Sequence, residues 1–231
     1  MNEVLRQEKK FLIPLDKYYD LSHRLGMILR TDSHSSGDGY LIRSLYYDTI
    51  DDNDFEEKDE GVELRRKIRL RCYGPDTPFA MLEMKQKQGA MQKKRSLRME
   101  KEDARRMIQG DYTVLLNYKV PFAEECFGLM NMRCYRPKAI ISYTRKVFVA
   151  DENKIRITFD HHIKGTEASY DIFRKDLMET ALLDPYLTVL EVKYNGFLLT
   201  YIKDIISECR SNEMAISKYC LGRTVSKHYL F

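Results

Sequence analysis

Hydrophobic and polar residues alternate along eight segments of the chain, and a period of two predicts β-strands. These segments are residues 5–13, 40–48, 64–72, 79–87, 91–98, 138–150, 154–161 and 186–194. Apolar residues at helical spacing predict helices over 16–29, 101–109, 113–130 with a break at Pro121, 172–179 and 197–210. No linker, repeat or low-complexity tract interrupts the pattern. The sequence therefore predicts an α+β fold in a single domain, residues 1–231.

The most informative segment is 64–72, which reads L-R-R-K-I-R-L-R-C. In a strand, one face carries the four cations Arg65, Lys67, Arg69 and Arg71, because alternate side chains point the same way. Such a column predicts an anionic ligand rich in phosphate. The alternative is a solvated face, since surface charge commonly serves solubility and protects strand edges.

Other predicted strands repeat the division between an apolar and a charged face, as in 79–87 and 154–160. Helices could cover the apolar side of an open sheet, or the strands could close into a barrel with a charged lumen. The closed form is favoured for a polyanion, because a narrow cationic lumen focuses positive potential on phosphate. Interleaved carboxylates would reduce repulsion among the cations, and one or two could hold Mg²⁺ or Mn²⁺; they are Glu8, Glu83, Asp160 and Glu191.

Composition narrows the class of protein. The net charge is only +4, but residues 62–98 hold eleven Lys and Arg against three acidic residues. The chain lacks a run of about 20 apolar residues and a signal-peptide core, which predicts a cytoplasmic protein. Five cysteines without a C-x-x-C pair argue against disulfides and a thiolate zinc site. The pair His161-His162 has no third ligand at a fixed spacing, so a turn or surface pair is predicted there.

Nine motifs in order along the chain resemble the triphosphate tunnel metalloenzyme (CYTH-like) superfamily, and most closely its polyphosphate polymerase branch, the VTC domain. They are Q-E-K-K-F at Gln7, S-L-Y-Y-D at Ser44, I-R-L-R-C-Y-G at Ile68, L-E-M-K-Q-K at Leu82, Q-K-K-R at Gln92, I-S-Y-T-R-K at Ile141, K-I-R-I-T-F-D at Lys154, L-E-V-K-Y at Leu190 and S-K-Y at Ser217. The resemblance implies an antiparallel eight-stranded β-tunnel, closed around a charged lumen, with helices packed outside.

The resemblance also implies site residues. Catalytic cations would be Arg69, Arg71, Arg145 and Arg156. Phosphate would be bound by Lys10, Lys85, Lys93, Arg95, Tyr143, Lys193 and Lys218. Lys93 and Lys94 compete for one position, and Lys93 is preferred because it shares a face with Arg95. Glu191 would bind Mn²⁺ or Mg²⁺, with Glu8 as a second candidate.

One departure from the family bears on the reaction. Hydrolytic members commonly begin with E-x-E-x-K, whereas this chain has R-Q-E-K-K, with Arg6 at the first glutamate position. Losing that carboxylate weakens the activation of water, and the polymerase branch is similar in this respect. The resemblance therefore implies transfer in place of hydrolysis, with the γ-phosphoryl group of ATP passing to a growing polyphosphate chain.

Two other functions stay open: a metal-dependent triphosphatase, acting on inorganic triphosphate or a nucleotide, and a polyphosphate- or nucleotide-binding module without turnover. Nucleic acid is not expected, because its binding surfaces seldom place carboxylates among the cations. A separate membrane partner would be needed for any coupling to transport.

Overall fold

The computed structural model describes residues 6–35, 37–89, 91–209, 212–214 and 216–227. Its ten strands are β1 Arg6–Pro14, β2 Arg30–Thr31, β3 Tyr40–Asp48, β4 Leu64–Cys72, β5 Phe79–Gln88, β6 Met91–Glu100, β7 Arg136–Ala150, β8 Ile155–Thr166, β9 Thr180–Ala181 and β10 Leu187–Asn195. Its helices are α1 Leu15–Ile28, α2 Asn53–Asp59, α3 Lys101–Ile108, α4 Pro121–Met132, α5 Thr200–Ser207 and α6 Lys218–Lys227, with 3₁₀ turns at Tyr112–Tyr118 and Glu152–Lys154. The fold is α+β with antiparallel pairing, as predicted.

The chain forms two compact units. The first contains Met1–Leu41, Tyr143–Ile163 and Leu183–Ser217; the second contains Ile42–Ser142, Lys164–Leu182 and Lys218–Phe231. Each has its own buried core. The assignment of one domain to the whole chain stays a prediction.

In the first unit, β10 lies between β1 and β8, and the C-terminal part of β7 follows β8. Alternation sorts the strand residues, because Phe11, Phe159 and Leu190 enter the core while their sequence neighbours point to the other face. Leu21 and Leu25, four residues apart on α1, pack into the same core. The charged residues Glu8, Asp160 and Glu191 lie on the opposite face of these strands.

In the second unit, β3, β4, β5 and β6 lie side by side in chain order. Ile68, Leu70, Leu82 and Met84 point into a core that α3 and α4 also build, and all four are fully buried. Arg65, Lys67, Arg69 and Arg71 alternate with these apolar residues along β4. Burying the apolar face therefore fixes where the cations point.

The closed eight-stranded form of the tunnel is not confirmed. The sheet has ten strands, and no pairing in the described residues joins the two ends of its order, β1 and β6. The two additional strands, β2 and β9, are two residues long and pair with β7 and β8.

The helix predicted over 172–179 is wrong, because no helix forms there in the described chain. Arg43 is buried and donates from Nη1 to the carbonyl oxygens of Ile172 and Arg174, at 2.9 and 2.6 Å. In a helix, the same carbonyl oxygens would accept hydrogen bonds from the backbone N–H groups four residues later. Conversely, α2 and α6 form in segments where no helix was predicted.

Candidate phosphate-binding site

The second unit gathers cations around one buried carboxylate, in what is here called the Glu83 cluster: Glu83, Arg69, Arg71, Lys94 and Tyr46. The strand register explains the grouping, because Arg69 pairs with Glu83 across β4 and β5, and with Tyr46 across β4 and β3. Lys94 pairs with Lys85 across β6 and β5, two residues along the same face from Glu83. Residues paired directly across antiparallel strands share a face.

Both oxygens of Glu83 are occupied. Oε2 accepts a hydrogen bond from Nε of Arg69 at 2.7 Å, while Nη2 of Arg69 lies 2.6 Å and Nη2 of Arg71 3.6 Å from the same oxygen. Oε1 lies 2.5 Å from Nζ of Lys94. The Glu83 carboxylate, which is 3% exposed, thus lies close to three cations. The Glu83 cluster therefore has a net positive charge.

The pKa values of the cluster reflect this surplus. Burial alone would raise the pKa of Glu83, but Arg69, Arg71 and Lys94 outweigh it and hold the pKa well below its usual range. Burial would also raise the pKa of Tyr46, yet Arg69, Lys67 and Arg71 lower it. The Tyr46 hydroxyl accepts from Nη1 of Arg69 at 2.9 Å. A lowered pKa for a buried phenol indicates a strongly positive local potential.

Arg71 is the least satisfied member of the Glu83 cluster. Its residue is 8% exposed, and its Nε has no hydrogen-bond partner in the part of the chain that the structure describes. An unpaired buried donor on a guanidinium is costly, so an acceptor of negative charge would stabilise it.

An aromatic stack borders the Glu83 cluster. The ring of Tyr46 stacks on that of Tyr219, with centroids 5.0 Å apart, and Nζ of Lys67 lies 5.6 Å from the centre of the Tyr219 ring. The Tyr219 hydroxyl donates to the buried Asp48 at 2.6 Å. Lys218, a predicted phosphate-binding residue, begins the same helix, α6.

The strand register corrects one choice made from the sequence. Lys93 does share a face with Arg95, but Lys93 pairs with Gln86 and Arg95 with the fully buried Met84, so this face is opposite to that of Glu83. Arg95 is ion-paired with Glu125 on α4. Lys94, and not Lys93, contacts Glu83, whereas Lys85 lies on the face of Glu83 as expected.

The first unit carries a second mixed group, here called the Glu191 cluster: Glu8, Lys10, Glu191, Lys193, Arg145 and Asp160. On β1 and β10, Glu8 pairs with Lys193 and Lys10 with Glu191, so opposite charges face one another. Nζ of Lys193 lies 2.7 Å from Glu191 and 3.5 Å from Glu8. Nζ of Lys10 lies 3.1 Å from Glu8.

Arg145 joins this cluster from β7. It binds Asp160 with two hydrogen bonds, from Nε at 2.6 Å and from Nη2 at 2.7 Å, and Nη2 lies 3.8 Å from Glu191. Its guanidinium lies 5.2 Å from the centre of the Tyr143 ring. The fourth predicted catalytic cation, Arg156, pairs across the strands with Lys193 and donates to Asp32 at 2.9 Å.

Neighbouring opposite charges outweigh the effect of burial on the pKa values of Glu191 and Lys10. Burial would raise the pKa of Glu191, but Lys193, Lys10 and Arg145 lower it well below its usual range. Burial would lower the pKa of Lys10, but Glu191 and Glu8 raise it. Glu191 and Lys10 therefore supply charges of opposite sign within the Glu191 cluster.

The carboxylates of the Glu191 cluster fit a divalent ion whose remaining ligands are supplied by phosphate. Glu8 and Glu191, the predicted metal ligands, are near neighbours, because Nζ of Lys193 contacts both carboxylates. No group of three or more His, Cys, Asp or Glu able to hold a metal occurs among the described residues. Mg²⁺ and Mn²⁺ are commonly held by one or two carboxylates while substrate phosphates supply further ligands.

Sequence reasoning missed Tyr46 as a member of the site and ranked Lys94 second. The alternation of side chains along β3 could have indicated Tyr46, because Tyr46 lies on the same face as Arg69 when β3 pairs with β4. For Lys94, the deciding information was the register of the β5–β6 hairpin.

Comparison with solved structures shows a shared fold. The chain is similar to a putative adenylate cyclase from Vibrio parahaemolyticus, with a TM-score of 0.52, 12% identity and coverage of 95% of this chain and 98% of that one. It is similar to a putative adenylyl cyclase from Hippeastrum, described as having a dominant triphosphatase activity, with a TM-score of 0.53, 12% identity and coverage of 95% and 96%. It is also similar to a putative adenylate cyclase from Bacillus halodurans, with a TM-score of 0.51, 12% identity and coverage of 92% of this chain and 95% of that one.

No curated protein matches the sequence. None of the helices in the described residues has the length and hydropathy needed to cross a membrane. The family model of the VTC domain, by contrast, matches residues 5–227, which include every residue of the Glu83 and Glu191 clusters. The chain therefore belongs to the VTC domain family.

Proposed function

We propose that this protein is a polyphosphate polymerase that transfers the γ-phosphoryl group of ATP to the end of a growing polyphosphate chain. Membership of the VTC domain family over residues 5–227 supports the reaction class. The same proposal includes a closed eight-stranded tunnel and a cytoplasmic location. Any coupling to transport would need a separate membrane partner.

The observation that carries the proposal is the surplus of positive charge around Glu83. Three cations share this carboxylate, and the buried Nε of Arg71 lacks a partner among the described residues. A phosphate group, with several charged oxygens, supplies the acceptors that one carboxylate cannot.

The residues have distinct roles in the proposal. Arg69 and Arg71, and likewise Arg145 and Arg156, stabilise charge on phosphate oxygens during transfer. Further phosphate contacts come from Lys10, Lys85, Lys94, Tyr143, Lys193 and Lys218. Glu191 and Glu8 would hold Mn²⁺ or Mg²⁺, which when bound neutralises phosphate charge.

The chemistry needs no side-chain nucleophile. A terminal oxygen of the acceptor chain, already negatively charged, forms a new bond to the γ-phosphorus, and the bond from that phosphorus to the bridging oxygen of ADP breaks. Positioning and charge neutralisation supply most of the rate enhancement in such transfers.

The test is incubation of the purified protein with ATP and Mn²⁺, followed by gel separation of the products. A ladder of long polyphosphate with stoichiometric ADP is expected, and orthophosphate as the sole phosphate product would overturn the proposal. Arg71→Ala should abolish the ladder. Arg174→Ala is the matched control, since Arg174 is an exposed arginine paired with Asp176 on the surface.

The second candidate is a metal-dependent triphosphatase, which the activity described for the Hippeastrum protein favours. The residue that distinguishes the two reactions is Arg6, at the position where hydrolytic members carry glutamate. Arg6→Glu should raise the share of orthophosphate among the products if the missing carboxylate suppresses water activation. An unchanged ratio of orthophosphate to polyphosphate would show that Arg6 does not suppress hydrolysis.

A further inference from the structure

Two consecutive histidines on β8 converge although they are sequence neighbours. Adjacent side chains of a regular strand point to opposite faces. His162, however, has a φ of 51°, in the left-handed region that residues other than glycine rarely adopt. The rings of His161 and His162 consequently lie with centroids 4.7 Å apart, and their Nδ1 atoms are 3.0 Å apart. The turn or surface pair predicted from the sequence is wrong, because both residues lie within β8 and His161 is buried.

The other nitrogen of His161 determines which atom faces His162. Nε2 lies 3.1 Å from the backbone carbonyl oxygen of Asp38, and a carbonyl oxygen only accepts hydrogen bonds. Nε2 therefore carries the proton, and in the neutral ring Nδ1 presents a lone pair. Tyr18 packs against the same ring, with centroids 5.2 Å apart, which fixes its orientation. That lone pair accepts a hydrogen bond from Nδ1–H of His162, since the two Nδ1 atoms are 3.0 Å apart. An imidazole anchored through one nitrogen to a carbonyl is the usual arrangement of a metal-binding histidine, and a metal would take the place of the shared proton, which moves to Nε2 of His162.

We propose that Nδ1 of His161 and Nδ1 of His162 form a two-nitrogen binding site for a divalent transition metal, of which Cu²⁺ and Ni²⁺ are the best fit. Metal–imidazole bonds of about 2.0–2.1 Å, applied to the separation of 3.0 Å, give an angle of about 90–100° at the metal. That angle suits the square-planar or octahedral geometry of Cu²⁺ and Ni²⁺ better than the tetrahedral geometry of Zn²⁺. The backbone strain at His162 holds this chelating arrangement in place before any metal binds.

Access and remaining ligands are compatible with such a site. His162 is exposed, so the pair reaches solvent through this residue. No third His, Cys, Asp or Glu completes a metal site in the described chain, so water fills the other positions. The site binds exchangeable metal and does not require it for folding.

This site is chemically distinct from the carboxylates proposed to hold Mn²⁺ or Mg²⁺. Imidazole nitrogen favours Cu²⁺ and Ni²⁺, whereas Mg²⁺ favours carboxylate and phosphate oxygens. Millimolar Mg²⁺ should therefore leave Ni²⁺ binding at the histidine pair unchanged.

The test is calorimetric titration of the untagged full chain with Ni²⁺ in the presence of Mg²⁺, together with Cu²⁺ electron paramagnetic resonance. One site with hyperfine splitting from two nitrogens is expected. His162→Asn keeps a residue that tolerates the left-handed backbone and should weaken binding at least about tenfold.

His23→Asn is the matched control, since His23 is an exposed histidine of α1 and not a member of the pair, and it should leave this site intact. Nickel affinity and nitrogen splitting that are the same in His162→Asn as in the unmodified chain would overturn the proposal. His161→Asn provides a second variant: retained two-nitrogen splitting in a folded His161→Asn protein would overturn it as well.

Discussion

Nζ of Lys94 lies 2.5 Å from Oε1 of Glu83, on the face of the sheet that also carries Arg69. Its sequence neighbour Lys93 lies on the opposite face. Two adjacent lysines with the same charge therefore have different surroundings, and this difference allows a direct test of which face binds phosphate.

Lys94→Ala should weaken binding of inorganic triphosphate about tenfold or more, because a charge-assisted hydrogen bond contributes about 1.5–3 kcal/mol. Lys93→Ala should change the dissociation constant less than about twofold, an effect typical of an exposed charge. Isothermal titration calorimetry at fixed salt measures both. Equal losses for the two variants would contradict the assignment of the binding face.

Glu83→Gln should destabilise the free protein by about 3–5 kcal/mol, because it leaves buried cations without their shared carboxylate. Added triphosphate should restore more stability to this variant than to the unmodified protein, since the ligand replaces the lost charge. Urea unfolding with and without triphosphate measures the effect. Glu125→Gln is the control, because the Glu125 side chain is 44% exposed and its pair with Arg95 should contribute less than about 1 kcal/mol.

Glu191→Gln should raise the Mn²⁺ concentration needed for half-maximal turnover, because it removes one of two predicted metal ligands. Glu152→Gln, at an exposed position in the turn before β8, should leave the titration unchanged. Activity measured against Mn²⁺ concentration tests both variants. An identical Mn²⁺ profile for Glu191→Gln would assign the metal to other residues.

Asp54 gives a prediction for pH. Burial and the neighbouring Asp48 raise the pKa of Asp54 from 3.8 to about 7. The folded state then holds a proton that the unfolded state has released, so stability should fall as pH rises from about 4 to about 7.

Asp54→Asn should flatten this dependence, with a difference of up to about 4 kcal/mol across the range. The asparagine oxygen still accepts a hydrogen bond from the Tyr135 hydroxyl, which lies 2.9 Å from each Asp54 oxygen. Free energies of unfolding at several pH values measure the effect. A parallel pH dependence in the two proteins would show that Asp54 ionises normally.

The sequence by itself determined eight of the ten strands in the described residues, and which of their residues are cationic. Alternation placed β3 and β4 at the bounds that the structure shows, because burying one face of a strand requires every second residue to be apolar. The ordered motifs also identified the VTC domain, since they span nearly the whole chain.

Only the tertiary structure decided which charges meet. The choice between Lys93 and Lys94 depends on the register of β5 and β6, since a shift of one residue exchanges the two faces. Residues 172–179 form no helix, and the carbonyl groups of Ile172 and Arg174 instead bind the distant Arg43. His161 and His162 converge because the backbone at His162 turns left-handed, a conformation that the pattern of side chains along a strand does not encode.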